Sequence, residues 1–268
     1  MKFLHLSDTH VRVDYKGNAL MNELFNAENN PVNRLKQLLE DIKEEEIDFA
    51  FVTGDLVHEG EKEDYELFKQ LWEDIVPEIP YYFCRGNHDR RQIFFEAMNV
   101  TGNERQEYIS CQEFKGLRII TLDSAQDDHH EGKISELQME QLRDYLAEPS
   151  EKGTLLLQHH PLVWEEEGIS TEVPDGFKEI IRNSDIMGIF VGHIHQGTTA
   201  SYAGKTQYMA EAMSFGTEEY PDESIFVDRT GYTIFSIIED GLIGYQKYLT
   251  PKQTVIGSLK KPFEGNFK

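Results

Sequence analysis

Apolar runs of strand length recur through the first 191 residues of this 268-residue chain. Several runs are continuous rather than alternating with polar residues, which is typical of strands covered on both faces. This pattern therefore predicts strands buried inside an α/β core. The runs extend from Phe3 to Leu6, Asp48 to Val52, Tyr81 to Cys84, Leu117 to Leu122, Thr154 to Leu157 and Met187 to Val191.

Amphipathic helical patterns separate these runs. The first helix should begin near Pro31, because proline is favoured in the opening turn of a helix. Another begins at Ser135, which forms a capping box with Gln138. The apolar stripes are Leu35, Leu38, Leu39 and Ile42, then Tyr65, Phe68, Leu71, Trp72 and Ile75, then Leu142, Tyr145 and Leu146, and a shorter one of Phe177, Ile180 and Ile181.

The pattern changes after residue 195. Apolar and polar residues alternate over 205–212, 232–238 and 242–249, and Asp240-Gly241 separates the last two runs as a hairpin turn. Alternating strands and helices are thus followed by antiparallel β-structure, which predicts a two-sheet core with helices outside. No linker-like stretch divides the chain, so we expect one domain over 1–268, with the β-rich part from about 200 integral to it.

Short polar motifs follow five of the apolar runs. Because ligands of open α/β sheets bind at the carboxyl ends of strands, we expect these motifs to converge on one crevice. Gly-Asp or Asp-x-His alone is a weak signal, but the conjunction of all five has no ready explanation in packing. The motifs are Asp8-Thr9-His10, Gly54-Asp55, Gly86-Asn87-His88-Asp89, His159-His160-Pro161 and Gly192-His193-Ile194-His195.

The chemistry of these side chains is that of a two-metal site. Asp, Asn and His hold hard and borderline divalent cations, and there are enough of them for two ions. The i, i+2 pairs Asp8/His10 and His193/His195 can each grip one metal or flank two. Asp55 has two carboxylate oxygens and could bridge cations about 3.5 Å apart. A pair held only by oxygen and nitrogen indicates hydrolytic phosphoryl chemistry.

The five motifs, in this order, resemble the complete signature of the calcineurin-like metallophosphoesterase superfamily. The similarity spans nearly the whole chain and implies a four-layer α/β/β/α sandwich. Within the superfamily the chain looks most like class III cyclic-nucleotide phosphodiesterases and glycerophosphodiesterases. Less specific features support that subgroup, namely Leu122-Asp123-Ser124, Gly132-Lys133-Ile134-Ser135 and Gly231-Tyr232 before the late hairpin.

The resemblance also implies roles for single residues. The first cation would be held by Asp8, His10, Asp55 and His195, and the second by the bridging Asp55 with Asn87, His159 and His193. His159 is chosen over His160 because the family's ligand stands two residues before the proline. His88 would face the substrate and assist the leaving oxygen, and Asp89 would orient His88 or a neighbouring group.

One position departs from a branch of the superfamily. Purple acid phosphatases carry a tyrosine ligand three residues after the bridging Asp, and this chain has His58 there. An iron–tyrosinate centre is therefore not expected, and His58 is interpreted as a loop residue rather than a ligand.

Several other polar residues are expected outside the metal set. We interpret His5 as a core histidine, and we expect surface or supporting roles for Asp14, His129, His130, Arg85, Arg90 and Arg91. The polar stretch 11–30 is either a plain connection or a loop that contacts substrate.

The composition of the chain restricts the kinds of molecule that we expect it to bind. A formal net charge of −23 without a basic stripe argues against binding a nucleic-acid backbone, although it permits a small phosphate ester. Only two cysteines occur, which favours reduced thiols, and there is neither a signal-peptide pattern nor an apolar stretch of transmembrane length. The expected location is the cytoplasm, with no membrane partner.

The sequence thus predicts a dinuclear-metal phosphoester hydrolase, with a phosphodiesterase on a small substrate favoured. A phosphomonoesterase, including a protein phosphatase, is the alternative enzyme, and a non-catalytic metal-binding scaffold is the alternative from another class. The site would accept Mn, Fe, Zn or Co. The patterns leave the natural substrate and the oligomeric state open.

Overall fold

The computed structural model describes residues 1–15, 22, 24–25, 29–101, 107–166, 168–249 and 255–260. Much of the predicted loop over 11–30 therefore lies outside the described residues. Within these ranges the helices are α1 (Pro31–Ile42), α2 (Lys62–Ile75), α3 (Arg91–Ala97), α4 (Glu136–Tyr145) and α5 (Phe177–Asn183). None of these helices has the length and apolar character needed to cross a membrane.

The strands of the described residues include the six predicted apolar runs and the three alternating segments, together with five strands that the sequence did not predict, at 109–114, 198–202, 216–219, 223–227 and 255–260. They are β1 (Lys2–Leu6), β2 (Phe49–Thr53), β3 (Tyr81–Cys84), β4 (Ile109–Phe114), β5 (Leu117–Leu122), β6 (Thr154–Leu157), β7 (Ile186–Val191), β8 (Thr198–Tyr202), β9 (Lys205–Met209), β10 (Gly216–Glu219), β11 (Glu223–Val227), β12 (Gly231–Ile238), β13 (Gly241–Tyr248) and β14 (Val255–Lys260).

The first sheet has five strands in the order β13-β12-β1-β2-β3. β1, β2 and β3 are parallel, with Phe3 opposite Phe49 and Ala50 opposite Tyr81. β12 pairs antiparallel with β1, and β13 returns along it after the predicted hairpin turn. The carboxyl ends of the three parallel strands consequently lie side by side at one edge of this sheet.

The second sheet has six strands in the order β4-β5-β6-β7-β9-β8. Strands β5, β6, β7 and β9 are parallel, whereas β4 and β8 pair antiparallel at the two edges. A separate three-stranded antiparallel sheet contains β10, β11 and β14.

Three hydrophobic clusters define the layers. One packs α1, α2 and α3 against the first sheet, and another packs α4 and α5 against the second. The third cluster lies between the sheets and is largely aromatic. In it Phe3 stacks on Phe49 at 5.0 Å and on Phe235 at 5.1 Å, and meets the edge of Phe190 at 5.3 Å. The order helix, sheet, sheet, helix confirms the predicted four-layer sandwich.

Local signals explain where the helices begin. Asn30 caps α1 by accepting hydrogen bonds from the backbone N–H groups of Val32 and Asn33, and Pro31 occupies the first turn. The predicted capping box of Ser135 and Gln138 is present at the start of α4. These caps satisfy backbone donors that have no partner inside the helix.

Candidate metal centre

The predicted ligands stand directly after five parallel strands, and both sheets contribute. Asp8 and His10 follow β1, Asp55 follows β2 and Asn87 follows β3, all in the first sheet. The second sheet supplies His159 after β6, and His193 with His195 after β7. The two sheets meet across this edge, where the backbone N–H of His193 donates to Asp8 Oδ2 at 3.1 Å.

A first group of side chains converges around His195. Its Nε2 lies 3.2 Å from Asp8 Oδ1 and 3.2 Å from His10 Nε2. Asp55 Oδ2 lies 3.7 Å from the same His10 nitrogen. Atoms of Asp8, His10 and His195 that can bind a metal all lie within 4.8 Å of one another.

A second group converges around Asn87. Its Oδ1 lies 3.0 Å from His159 Nε2 and 3.0 Å from His193 Nδ1. Asp55 Oδ2 is 3.4 Å from the same His159 nitrogen, so this carboxylate reaches both groups. Asp8, Asp55 and His159 form a further cluster within 4.8 Å.

The backbone at these positions is strained. φ is positive at Asp8, His10, Asp55, His193 and His195, a conformation that non-glycine residues rarely adopt. Strain of this kind costs on the order of 1–3 kcal/mol per residue and persists at functional sites because the surroundings enforce it. Here it turns the side chains away from the strand direction and toward one another.

Glycines allow close approaches between the loops that carry predicted ligands. Gly54 has φ +89°, and a Cβ placed on it would lie 2.3 Å from His159 Nδ1. A Cβ on Gly86 would lie 2.3 Å from the backbone nitrogen of Asp55. Any larger residue at either position would displace a predicted ligand.

The electrostatics are those of a buried, partly protonated cluster. Burial lowers the pKa of His193 to about 3 and that of His10 well below its usual range, so both imidazoles are neutral. Burial also disfavours a charged His159, but the carboxylates of Asp55 and Asp8 raise its pKa to about 9. A cation that binds His159 Nε2 must therefore displace a proton.

The donor set fits two divalent cations. It consists of two carboxylates, one amide oxygen and four imidazoles, and their acceptor atoms face one another at about van der Waals distance or less. Buried acceptors arranged in this way require either protons or cations between them. The structure thus contains Asp/His clusters that could hold the metal ions.

Partners behind the ligands fix their orientation. His159 Nδ1 donates to the carbonyl of Thr53 at 2.7 Å, and His195 Nδ1 donates to that of Phe215 at 2.9 Å. Each bond places the ring proton on Nδ1 and leaves Nε2 available to coordinate a cation.

His88 lies beside the first group and has a partner that the sequence did not reveal. Its ring is 5.2 Å from that of His10, and its backbone N–H donates to Asp55 Oδ1 at 2.8 Å. Its Nδ1 lies 3.8 Å from Glu59 Oε1, while 17% of the His88 side chain is exposed. Glu59 belongs to none of the five sequence motifs. In the structure its backbone has a positive φ.

Asp89 supports the loop around Asp55 rather than contacting the His88 ring. Its buried carboxylate accepts hydrogen bonds from the N–H groups of Leu56, Val57 and Gly86 and from the hydroxyl of Tyr65. These contacts make Asp89 a structural link between the β2 and β3 loops, which carry Asp55 and Asn87.

The neighbouring histidines differ in position. His160 is buried, its Nδ1 is 2.9 Å from Ser124 Oγ, and its ring lies 4.4 Å from that of His193. His130 Nδ1 lies 3.3 Å from Asn87 Nδ2, at the rim of the centre. His129 is 61% exposed and pairs with Glu131, so it lies away from the ligands. His5 is buried against Phe190, as predicted for a core histidine.

Arg85 and Arg91 are buried, which agrees with the supporting role of the two roles expected for them. Arg85 Nε lies 3.1 Å from Asp123 Oδ1, and Arg91 Nη1 lies 2.8 Å from Asp123 Oδ2. Asp127 pairs with both arginines. The four charges tie the loop after β3 to the loop after β5, which explains why burial is tolerated. Arg90, by contrast, is half exposed and pairs with Glu61.

His58 is also buried, although it was interpreted only as a loop residue. It follows β2, and 3% of it is exposed. Its Nδ1 lies 3.0 Å from His10 Nδ1, and its ring stacks on His88 at 4.5 Å. It therefore contacts His10, one of the predicted ligands.

Comparison with solved structures supports the architecture. A dimetal phosphatase from Danio rerio superposes with a TM-score of 0.60 at 12% identity, covering 84% of this chain and 95% of that chain. At this level of identity the similarity shows the fold alone.

Comparison with known sequences identifies the family. A probable cyclic nucleotide phosphodiesterase from Rhodococcus erythropolis is 34% identical over 209 residues, which is 75% of this chain and 67% of that protein. A cAMP/cGMP dual specificity phosphodiesterase from Mycobacterium tuberculosis is 30% identical over 225 residues, covering 79% and 67%. The family model for calcineurin-like phosphoesterases matches residues 1–197, which contain every predicted ligand. The chain therefore belongs to the calcineurin-like phosphoesterase family and is a metal-dependent phosphoester hydrolase.

Proposed function

We propose that this protein is a phosphodiesterase that hydrolyses a small diester of the cyclic-nucleotide or glycerophosphodiester type. The observation that carries the proposal is the convergence of metal-binding atoms from both sheets, in groups that Asp55 connects. The names of the relatives favour a diester over a monoester. The net charge of −23 disfavours a nucleic-acid backbone as substrate.

The proposed ligand sets follow the distances. Asp8, His10 and His195 would hold one cation, and Asn87, His159 and His193 would hold the other, with Asp55 between them. Manganese, iron, zinc and cobalt all suit such mixed oxygen and nitrogen donors. When bound, the two cations would supply Lewis acidity that lowers the pKa of a water and neutralises phosphoryl charge.

Residues of the chain would donate a proton to the leaving oxygen and would hold the proposed ligands in position. Glu59 lies at Nδ1 of His88, which orients the opposite nitrogen, Nε2, to donate a proton to the leaving oxygen. Asp89 would hold the β2 and β3 loops together, so that Asp55 and Asn87 keep their separation. Asn87 adds no charge to the site and would leave it electrophilic for a phosphate anion.

We also propose that residues 1–268 work as one domain in a reducing compartment. β12 pairs with β1 in the centre of the first sheet, which supports treating the late β-structure as integral. Cys111 is a free, exposed thiol, which suits a reducing environment such as the cytoplasm.

The test compares a diester with a monoester on metal-loaded enzyme. Bis-p-nitrophenyl phosphate should be hydrolysed faster than p-nitrophenyl phosphate. Asp55→Ala should lose bound metal and activity together, whereas His88→Ala should keep both metals. His88→Ala should still lose about 10²–10⁴-fold in rate on a diester with a poor leaving group. His129→Ala is the matched control, because this histidine is exposed and pairs with Glu131.

Three results would count against the proposal or a part of it. Faster hydrolysis of the monoester would replace it with a phosphomonoesterase. Full activity of His88→Ala on an ester with a poor leaving group would remove the assigned role of His88. An inert wild-type protein with two metals bound would indicate a non-catalytic scaffold.

A further inference from the structure

His10 differs from the other histidines proposed to coordinate through Nε2. In His159 and His195 the opposite nitrogen donates to a backbone carbonyl, at 2.7 Å and 2.9 Å. In His10 the opposite nitrogen faces a side chain instead, with Nδ1 lying 3.0 Å from Nδ1 of His58. His58 thus occupies the position that a carbonyl occupies behind the other two ligands.

The placement of protons follows from this contact. Two nitrogens 3.0 Å apart can share only one hydrogen. Coordination through Nε2 of His10 requires a lone pair there, so the ring proton of His10 stands on Nδ1. His58 must then accept at Nδ1 and hold its own proton at Nε2.

The same ring supports His88. The imidazoles of His58 and His88 stack with their centroids 4.5 Å apart and an interplanar angle of 28°. The next residue, Glu59, also contacts His88. Its backbone N–H donates to the His88 carbonyl at 2.9 Å, and its carboxylate lies 3.8 Å from His88 Nδ1. The pair His58-Glu59 therefore contacts both a proposed ligand and the proposed proton donor.

We propose that His58 is a positioning residue with two separable tasks. Its Nδ1 accepts the proton of His10 and thereby fixes the coordinating tautomer, and its ring face holds His88 in place. The inference rests on the proposed function, because it assumes that His10 binds a cation and that His88 serves the leaving group.

Two substitutions separate the tasks. His58→Asn keeps an acceptor close to the position of Nδ1 but removes the ring. His58→Phe keeps a ring to stack on His88 but removes the acceptor. Exposed His129→Asn is the control for changes in surface charge and folding. Manganese binding is measured by titration of the metal-free proteins, and kcat and KM are measured on a diester with a poor leaving group.

The two variants should fail differently. His58→Phe should weaken the binding of one of two manganese ions by about 10–100-fold, the usual effect of losing a hydrogen-bond partner behind a ligand. His58→Asn should bind both ions within a few-fold of wild type but lose kcat, with little change in KM. His129→Asn should match wild type in both measurements.

Equal losses of metal affinity in the Asn and Phe variants would show that His58 only fills space, and this would overturn the inference. Unchanged metal binding in His58→Phe would overturn it as well. The titration needs no substrate, so a wild-type protein without phosphoesterase activity would refute the proposed function while the manganese result still decides the tautomer task. A Tm measured for each metal-free variant identifies any general loss of folding.

Discussion

The substitution Gly54→Ala tests whether the approach of the two sheets sets the metal centre. Gly54 has φ +89°, where an L-residue costs about 1–2 kcal/mol. The new Cβ would also lie 2.3 Å from His159 Nδ1 and 2.6 Å from its Cγ. His159 is fully buried and its Nδ1 is bonded to Thr53, so the ring cannot move without losing that bond. Overpacking of this kind costs about 1–3 kcal/mol more.

Gly204→Ala is the matched control. Gly204 has φ +83° in the turn between β8 and β9, yet no atom lies within 4 Å of a Cβ placed there. This variant should lose only the conformational cost of about 1–2 kcal/mol, against about 2–5 kcal/mol for Gly54→Ala. The difference between the two isolates the collision with His159.

The assay is urea unfolding of the metal-free proteins, because bound metal would add its own stabilisation. Metal content is then measured after loading with manganese. Gly54→Ala should bind fewer than two ions and lose activity, whereas Gly204→Ala should bind both and remain active. Equal free energies of unfolding and equal metal content in the two variants would refute the reasoning.

Three further predictions concern other parts of the molecule. Arg85→Met should lower the free energy of unfolding by about 3 kcal/mol, because the buried Asp123 loses one of its two arginine partners and keeps Arg91. Urea unfolding measures this loss, and a value below about 1 kcal/mol would contradict the prediction. Chelation of the loaded enzyme should lower its Tm reversibly, and an unchanged Tm would mean that the folded state binds no metal. A thiol reagent should modify the exposed Cys111 rapidly and the buried Cys84 only after unfolding. Rapid modification of both thiols in the folded protein would contradict the burial of Cys84.

The ligand motifs could be predicted from the sequence because their signal is local. An apolar run followed at once by Asp, Asn or His places a polar side chain at a strand end, whatever surrounds it. The resemblance to a known family then supplied the order of the ligands. The alternation of strands and helices likewise predicted the four layers.

Pairing across long separations could not be predicted. β12 lies beside β1 in the first sheet, although more than 220 residues separate them. An alternating pattern indicates a strand with one covered face but does not name its neighbour. The sequence therefore suggested late antiparallel structure without placing it beside β1 in the first sheet.

The supporting polar residues were missed for a related reason. A histidine or arginine is buried only where a partner satisfies it, and here the partners stand far along the chain. His58 meets His10 across 48 residues, and Arg85 meets Asp123 across 38. Composition and periodicity do not reveal such contacts, so the sequence predicts a supporting role for Arg85 only as one of two alternatives and does not identify the partner of either residue.

The aromatic layer between the sheets has a consequence for catalysis. Four proposed ligands stand on the first sheet and three on the second, so the thickness of this layer sets the distance between the two sets. The rings of Phe3 and Phe190 meet in this layer at 5.3 Å, and they help to set the spacing at which Asp55 Oδ2 lies 3.4 Å from His159 Nε2. Each proposed cation site takes ligands from both sheets, so the packing of the core would decide how closely either site could hold its cation, and aromatic residues that do not bind phosphate would still affect activity.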